Sequence, residues 1–174
     1  MNRLVRRIVV VLTVLAANIF LDRITKWFAE LLKDRDPVSF FWNAIVLHYV
    51  ENTGAFLSLG DSWPEPVKVV IFLALPILVC LGAIAYCLFK KTDAVRTVLI
   101  VTIAAGGISN LYDRLFHSFH VTDFLNFGLG NVRTGIMNVA DLSVTLGVIL
   151  LVVYEYSRKT KRESKSKEKK EPEE

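Results

Sequence analysis

Apolar residues fall into four blocks along this chain, separated by polar connections of unequal length. The first runs from Ile8 to Leu21 and is extended by Trp27 and Phe28, which predicts a helix over about 8–28. A basic start and a short apolar run also describe a signal peptide, but this run passes Ala16 and Ala17 into Asn18-Ile19-Phe20-Leu21 without a clear A-x-A site. A retained helix is the prediction. The second block, over 67–89, is broken only by Lys68 and is long enough to cross a hydrocarbon core of ~30 Å. Pro76 inside it predicts a kink, which membrane helices tolerate. The third, over 95–115, begins very apolar and becomes Gly106-Gly107-Ile108-Ser109-Asn110. The fourth, over 136–156, is polar at its start and purely apolar from Gly147 to Val153.

The basic residues flanking the blocks give the orientation. Arg3, Arg6 and Arg7 precede the first; Lys90, Lys91 and Arg96 lie between the second and third; Arg158, Lys159, Lys161 and Arg162 follow the fourth. With four spans these three segments share one side, and the positive-inside rule makes it cytoplasmic, with both termini there. Two connections then face outward, about 31–66 and 116–135. The first contains VSFFWNAIVLHYVENTGAF, aromatic and β-branched with partial alternation, which predicts short strands over about 36–60. The second is short and carries His117, His120, Asp123 and Arg133. No internal repeat is evident, so an inverted-repeat transporter has no support.

Composition agrees with a membrane class. The 174 residues suit one domain, and an apolar fraction of 53% exceeds that of ordinary soluble domains. A net charge of +4 raises the question of nucleic acid. Most of the excess sits beside apolar blocks, where it sets topology, so no nucleic-acid partner is predicted. Residues 158–174 are nearly devoid of apolar side chains, mix Lys with Glu, and are expected to form a disordered cytoplasmic tail. Cys80 and Cys87, seven residues apart on one predicted helix, are separated by roughly 10 Å along its axis. That is too far for a disulfide, and they are expected to be packing residues.

Ionisable groups inside membrane helices are costly unless paired or hydrated, so each is a functional candidate. Asn138, Asp141 and Thr145 share one face of the fourth helix, which continues as Val148 and Val152. The polar stripe therefore occupies only the outer half. Gly106, Asn110 and Arg114 recur at four-residue steps on the third helix, with Asp113 beside them. Asp123 follows between apolar residues, and both stretches end on the outer side, where Asp123 and Asp141 are able to meet. Interhelical hydrogen bonding accounts for any one of these polar residues taken singly. Two acids converging on a shallow site fit packing less well. Paired carboxylates share a proton, so one takes a proton from water while the other polarises a peptide carbonyl. That is aspartic peptidase chemistry, with no metal and no cofactor required. Three rivals follow from the same residues: a small proton-coupled carrier, a metalloenzyme using His117, His120 and Asp123, and a scaffold. The apolar inner halves of the second and fourth blocks leave a carrier no polar path, and no H-E-x-x-H is present.

Five segments in order resemble the lipoprotein signal peptidases, or signal peptidase II. Asp22-Arg23-Ile24-Thr25-Lys26 resembles the family's D-x-x-[ST]-K box, and Asn52-Thr53-Gly54-Ala55-Phe56 its N-x-G-A motif. Gly106 to Arg114 resembles G-[GA]-x-G-N-x-x-D-R. Val121-Thr122-Asp123-Phe124 and Asn138-Val139-Ala140-Asp141 resemble the two segments carrying the family's catalytic aspartates. Ser109 stands where the family usually has Gly, Met137 replaces an aromatic, and the stretch from Arg114 to Asp123 is a residue longer than common.

The resemblance implies an all-α polytopic membrane protein of four transmembrane helices with a small extracytoplasmic β-like cradle. Residues 1–157 would form the peptidase domain in a bacterial cytoplasmic membrane, with its active site near the extracytoplasmic face. Asp123 and Asp141 would be catalytic. Asn52, Gly54, Asn110, Asp113, Arg114, Asn138 and Ala140 would bind substrate or support the site, and Asp22 and Lys26 would form a structural box. The implied reaction removes the signal peptide of a prolipoprotein before a cysteine carrying diacylglycerol. The expected partners are that lipid-modified substrate and membrane phospholipid, and the expected state is a monomer.

Overall fold

Each apolar block winds into a helix somewhat longer than its apolar stretch, because polar flanks supply the caps and first turns. The computed structural model describes residues 2–54, 60 and 62–168. Among them four helices are long and apolar enough to cross a membrane: α1 (Arg3–Glu30), α2 (Glu65–Phe89), α3 (Ala94–Phe116) and α4 (Val139–Glu168). The Asn2 side chain accepts from Leu4 N to cap α1, and Asp93 accepts from Arg96 N at 3.0 Å to cap α3. Pro76 does lie in α2, and the turn just before it, Val70–Ala74, is wound as a π-helix. The wider turn absorbs a position where the proline ring crowds the preceding carbonyls.

Two boundaries differ from the sequence reading. α4 begins at Val139 rather than near 136, because Met137 is held in an antiparallel bridge to Leu125. It also runs to Glu168, so the tail expected to be disordered from Arg158 continues the helix. Lys, Arg and Glu are good helix formers, and extending an existing helix avoids the nucleation cost. Lys159 and Glu163 add an i,i+4 pair at 3.9 Å. Residues 169–174 lie outside the described residues.

A four-stranded antiparallel sheet caps the bundle: β1 (Val38–Phe40), β2 (Ile45–Asn52), β3 (Val121–Leu129) and β4 (Val132–Arg133), in that order. β1 and β2 meet the expectation of strands in the first outer connection. β3 and β4, from the second connection, are an addition to it. The register sets Asn52 opposite Val121 and Val50 opposite Asp123.

α3 is the central helix and packs against the other three. Its approach to α4 is close because of glycine: a Cβ on Gly106 would lie 2.4 Å from the Ala140 carbonyl oxygen. The bundle is apolar toward lipid, and its interior joins an apolar cluster of Val11, Cys87 and Val101 to a set of buried polar residues. Phe20, Leu78 and Val152 are largely exposed, as lipid-facing residues must be, whereas Asp22, Asp113 and Asn138 are buried. Both cysteines are free and buried.

Candidate active site

The short bridge between β3 and Met137 decides where the polar end of α4 falls. Met137 N donates to Leu125 O at 2.8 Å, while Phe124 N and Leu125 N donate to Met137 O. The next residue, Asn138, is thereby set beside Asp123. Asn138 also opens α4 through a reciprocal cap. Its Oδ1 accepts from Asp141 N at 2.8 Å, and Asp141 Oδ2 accepts from Asn138 N at 3.1 Å. Its Nδ2 donates to Asp123 Oδ1 at 2.7 Å. One fully buried asparagine therefore touches both carboxylates.

The outer oxygens are held by two further asparagines. Asn52 Nδ2 donates to Asp123 Oδ2 at 3.0 Å. The sheet register explains this bond, since Asp123, two residues beyond Val121, is the same-face diagonal neighbour of Asn52. Asn110 Nδ2 donates to Asp141 Oδ1 at 2.8 Å, and its own Oδ1 accepts from Asn138 Nδ2 at 3.1 Å. Burial and then the charge of Asp141 push the Asp123 carboxyl up to about 7, against the lowering effect of Asn52 and Asn138.

Beside the two acids lies a cavity of ≈290 Å³. Asn52, Gly54 and Arg114 line it with Asp123 and Asp141, and Phe72, Pro76, Leu111 and Val144 form an apolar wall. Arg114 Nη2 donates to Gly54 O at 2.6 Å, its guanidinium lies 5.6 Å over the Phe72 ring, and among the described residues its buried Nε has no partner. Gly54 N donates to Asn52 Oδ1, tying the turn to the strand. Ala55 and Phe56 of the same segment lie outside the described residues.

The remaining expected residues sit behind the cavity. Lys26 Nζ reaches Asp22 at 2.9 Å, Asp113 at 2.7 Å and Asn110 Oδ1 at 3.0 Å. Arg23 bridges the same two acids at 3.0 and 2.5 Å. Two acids and two bases thus balance in a buried cluster, which only such pairing makes tolerable. Asp22 Oδ1 accepts from Ala140 N at 2.8 Å, so the cluster grips the first turn of α4. Ser109 Oγ donates to the other oxygen of Asp22 at 2.6 Å. Asp113 and Ala140 are therefore not cavity-lining residues; they hold the elements that carry the acids. Sequence reasoning overlooked Arg23, whose signal was its place beside Asp22 in the same box.

His117 and His120 do not join Asp123. His117 Nδ1 lies 3.4 Å from Asp113, and His120 Nδ1 contacts the His117 carbonyl. Among the described residues no three His, Cys, Asp or Glu side chains gather as a metal-ligand set.

Comparison with known proteins bears on this arrangement directly. A family model described as signal peptidase (SPase) II matches residues 14–157. The lipoprotein signal peptidase of Borrelia hermsii is 30% identical over 166 residues, covering 92% of this chain and 95% of its own. That of Borreliella afzelii is 34% identical over 149 residues, covering 82% and 87%. A bacterial membrane enzyme solved by the in meso method at 2.3 Å superposes with a TM-score of 0.70 at 20% identity, covering 94% of this chain and 93% of that one. That last likeness concerns the fold, and the carrier alternative finds no support in any of these matches. On the family match and these relatives, this four-helix membrane protein belongs to the signal peptidase II family, a family of aspartic membrane peptidases.

Proposed function

We propose that the chain cleaves signal peptides from diacylglyceryl-modified prolipoproteins, with Asp123 and Asp141 as its catalytic pair. The observation that carries this reading is the single asparagine, Asn138, bonded to both carboxylates beside a mostly apolar cavity into which both acids open. A carboxyl that keeps its proton to about 7 beside a second acid gives a pair sharing one proton near neutrality. The ionised member takes a proton from water, whose oxygen attacks the scissile carbonyl carbon. The protonated member gives its proton to the carbonyl oxygen. Collapse of the tetrahedral intermediate breaks the C–N bond, and the amine leaves with a proton from the pair.

Arg114, Asn52 and Gly54 line the same cavity, where the Arg114 guanidinium supplies charged donors for a substrate carbonyl. The apolar wall of Phe72, Pro76, Leu111 and Val144 suits the acyl portion of a lipidated cysteine. The basic flanks support an orientation with this end of the bundle on the extracytoplasmic side of a bacterial inner membrane and both termini in the cytoplasm.

The test is cleavage of a purified diacylglyceryl-prolipoprotein. Asp123→Asn and Asp141→Asn should each slow it by roughly 10³-fold while melting like the wild type. Cleavage should persist in EDTA. Normal rates in either variant would refute the pair, and loss in EDTA restored by zinc would favour a metalloenzyme.

A further inference from the structure

At the end of the bundle remote from the acids, α1 and α3 start side by side. Arg3, Arg6 and Arg7, from the first turns of α1, line a cavity of ≈280 Å³ together with Val10, Thr92 and Thr97. Among the described residues no carboxylate lines it. Of the described acids at this end, Asp93 and Glu155 are already matched elsewhere. Asp93 accepts from Arg96 N, from Tyr154 OH at 2.7 Å and from Arg158, while Glu155 holds the Arg96 side chain through bonds of 2.6 and 2.5 Å. Among the described residues none of the three arginines has an acid within ion-pair distance. Arg7 Nη1 donates to Leu88 O at 3.1 Å, which fixes that guanidinium at the cavity without neutralising it.

The positive-inside rule accounts for arginines on this side of the membrane, but not for three of them around one concavity. Guanidiniums gathered there repel one another unless an anion lies between them. Phosphate is the anion whose oxygens match the fork of N–H donors. The hydroxyls of Thr92 and Thr97 are bonded to each other at 2.8 Å and that of Thr97 donates to Asp93 O, so the arginines are the recognising groups. Leu4 and Ile8, elsewhere on the same turns of α1, are exposed apolar residues that suit contact with acyl chains.

We propose that this cavity binds a phosphate-bearing anion, with an anionic phospholipid headgroup in the leaflet opposite the acid pair as its occupant. The proposal stands apart from the peptidase reading. The test uses the full chain in detergent, with native mass spectrometry counting retained dioleoyl-phosphatidylglycerol against dioleoyl-phosphatidylcholine. Wild type should prefer the anionic lipid about ten-fold, and Arg3→Gln with Arg6→Gln should abolish the preference. Arg7, Lys90, Lys91 and Arg96 remain in that variant to keep the topology. A triple Arg→Lys variant at positions 3, 6 and 7 keeps every charge, and should retain only part of the preference. A rise in wild-type melting temperature with inorganic phosphate, absent in the Gln variant and without any lipid preference, would assign the site to soluble phosphate. Equal retention of both lipids by wild type and both variants, with no phosphate-dependent melting shift, would overturn the site.

Discussion

Asp123 sits at the most constrained point of the site, buried on β3 between two asparagine donors. Burial, then the charge of Asp141, raises its carboxyl from an ordinary 3.8 to about 7, so the fold favours its neutral form. Its contribution to stability is therefore complete below pH 3.8 and is lost as pH rises through about 7. Cleavage should decline over the same alkaline range, since the pair then loses its shared proton. Asn52→Ala removes a donor that favours the ionised form, so the alkaline midpoint should move to higher pH; a pH–rate profile of that variant checks the direction. Ser109 makes a different contribution. A hydroxyl replaces the family's usual glycine and donates to buried Asp22, which in turn holds Ala140 N. Ser109→Ala should cost about 2 kcal/mol in detergent melting experiments, as expected for a bond to a charged acceptor. The sequence showed Ser109 only as a departure from a motif. Its partner lies on another helix, and nothing in local spacing reveals that.

At the scale of helices and strands, the contact between α3 and α4 is set by glycines of unequal tolerance. A methyl on Gly106 would meet the Ala140 backbone at 2.4 Å, one residue from Asp141. On Gly147 it would meet the Ile103 side chain at 2.7 Å, which is able to turn aside. Gly106→Ala should therefore cost about 1–3 kcal/mol and most of the cleavage rate, whereas Gly147→Ala should melt slightly lower and cleave normally. Paired melting and activity assays separate the two. The four helices were legible because lipid demands long apolar runs, and their polar outer ends pointed to Asp123 and Asp141. β3 was not legible. Val121 to Leu129 has an acid and an asparagine among apolar residues, and its pairing with β2 joins positions as far apart in sequence as Ile45 and Phe127. Asn52 reaches Asp123 only through that pairing. The helical tail was misread for the opposite reason: its composition lacks apolar residues, yet it is rich in residues that extend a helix already begun.

Across the whole molecule, charges brace the bundle at both ends in unlike surroundings. Near the acids, Asp22, Arg23, Lys26 and Asp113 form a mostly buried cluster; at the far end, Arg158 and Asp93 are about one-third exposed. Lys26→Met leaves two buried carboxylates to a single arginine and should destabilise by about 3–5 kcal/mol. Arg158→Gln breaks a hydrated pair and should cost less than about 1 kcal/mol. Melting curves of the two variants under one set of detergent conditions test the contrast. Asn138 carries a final consequence, because it both starts α4 and joins the two acids. Helix termini fray before helices melt. On warming, such an enzyme falls silent while its bundle is still intact, and the interval between the two temperatures gauges the strength of one cap.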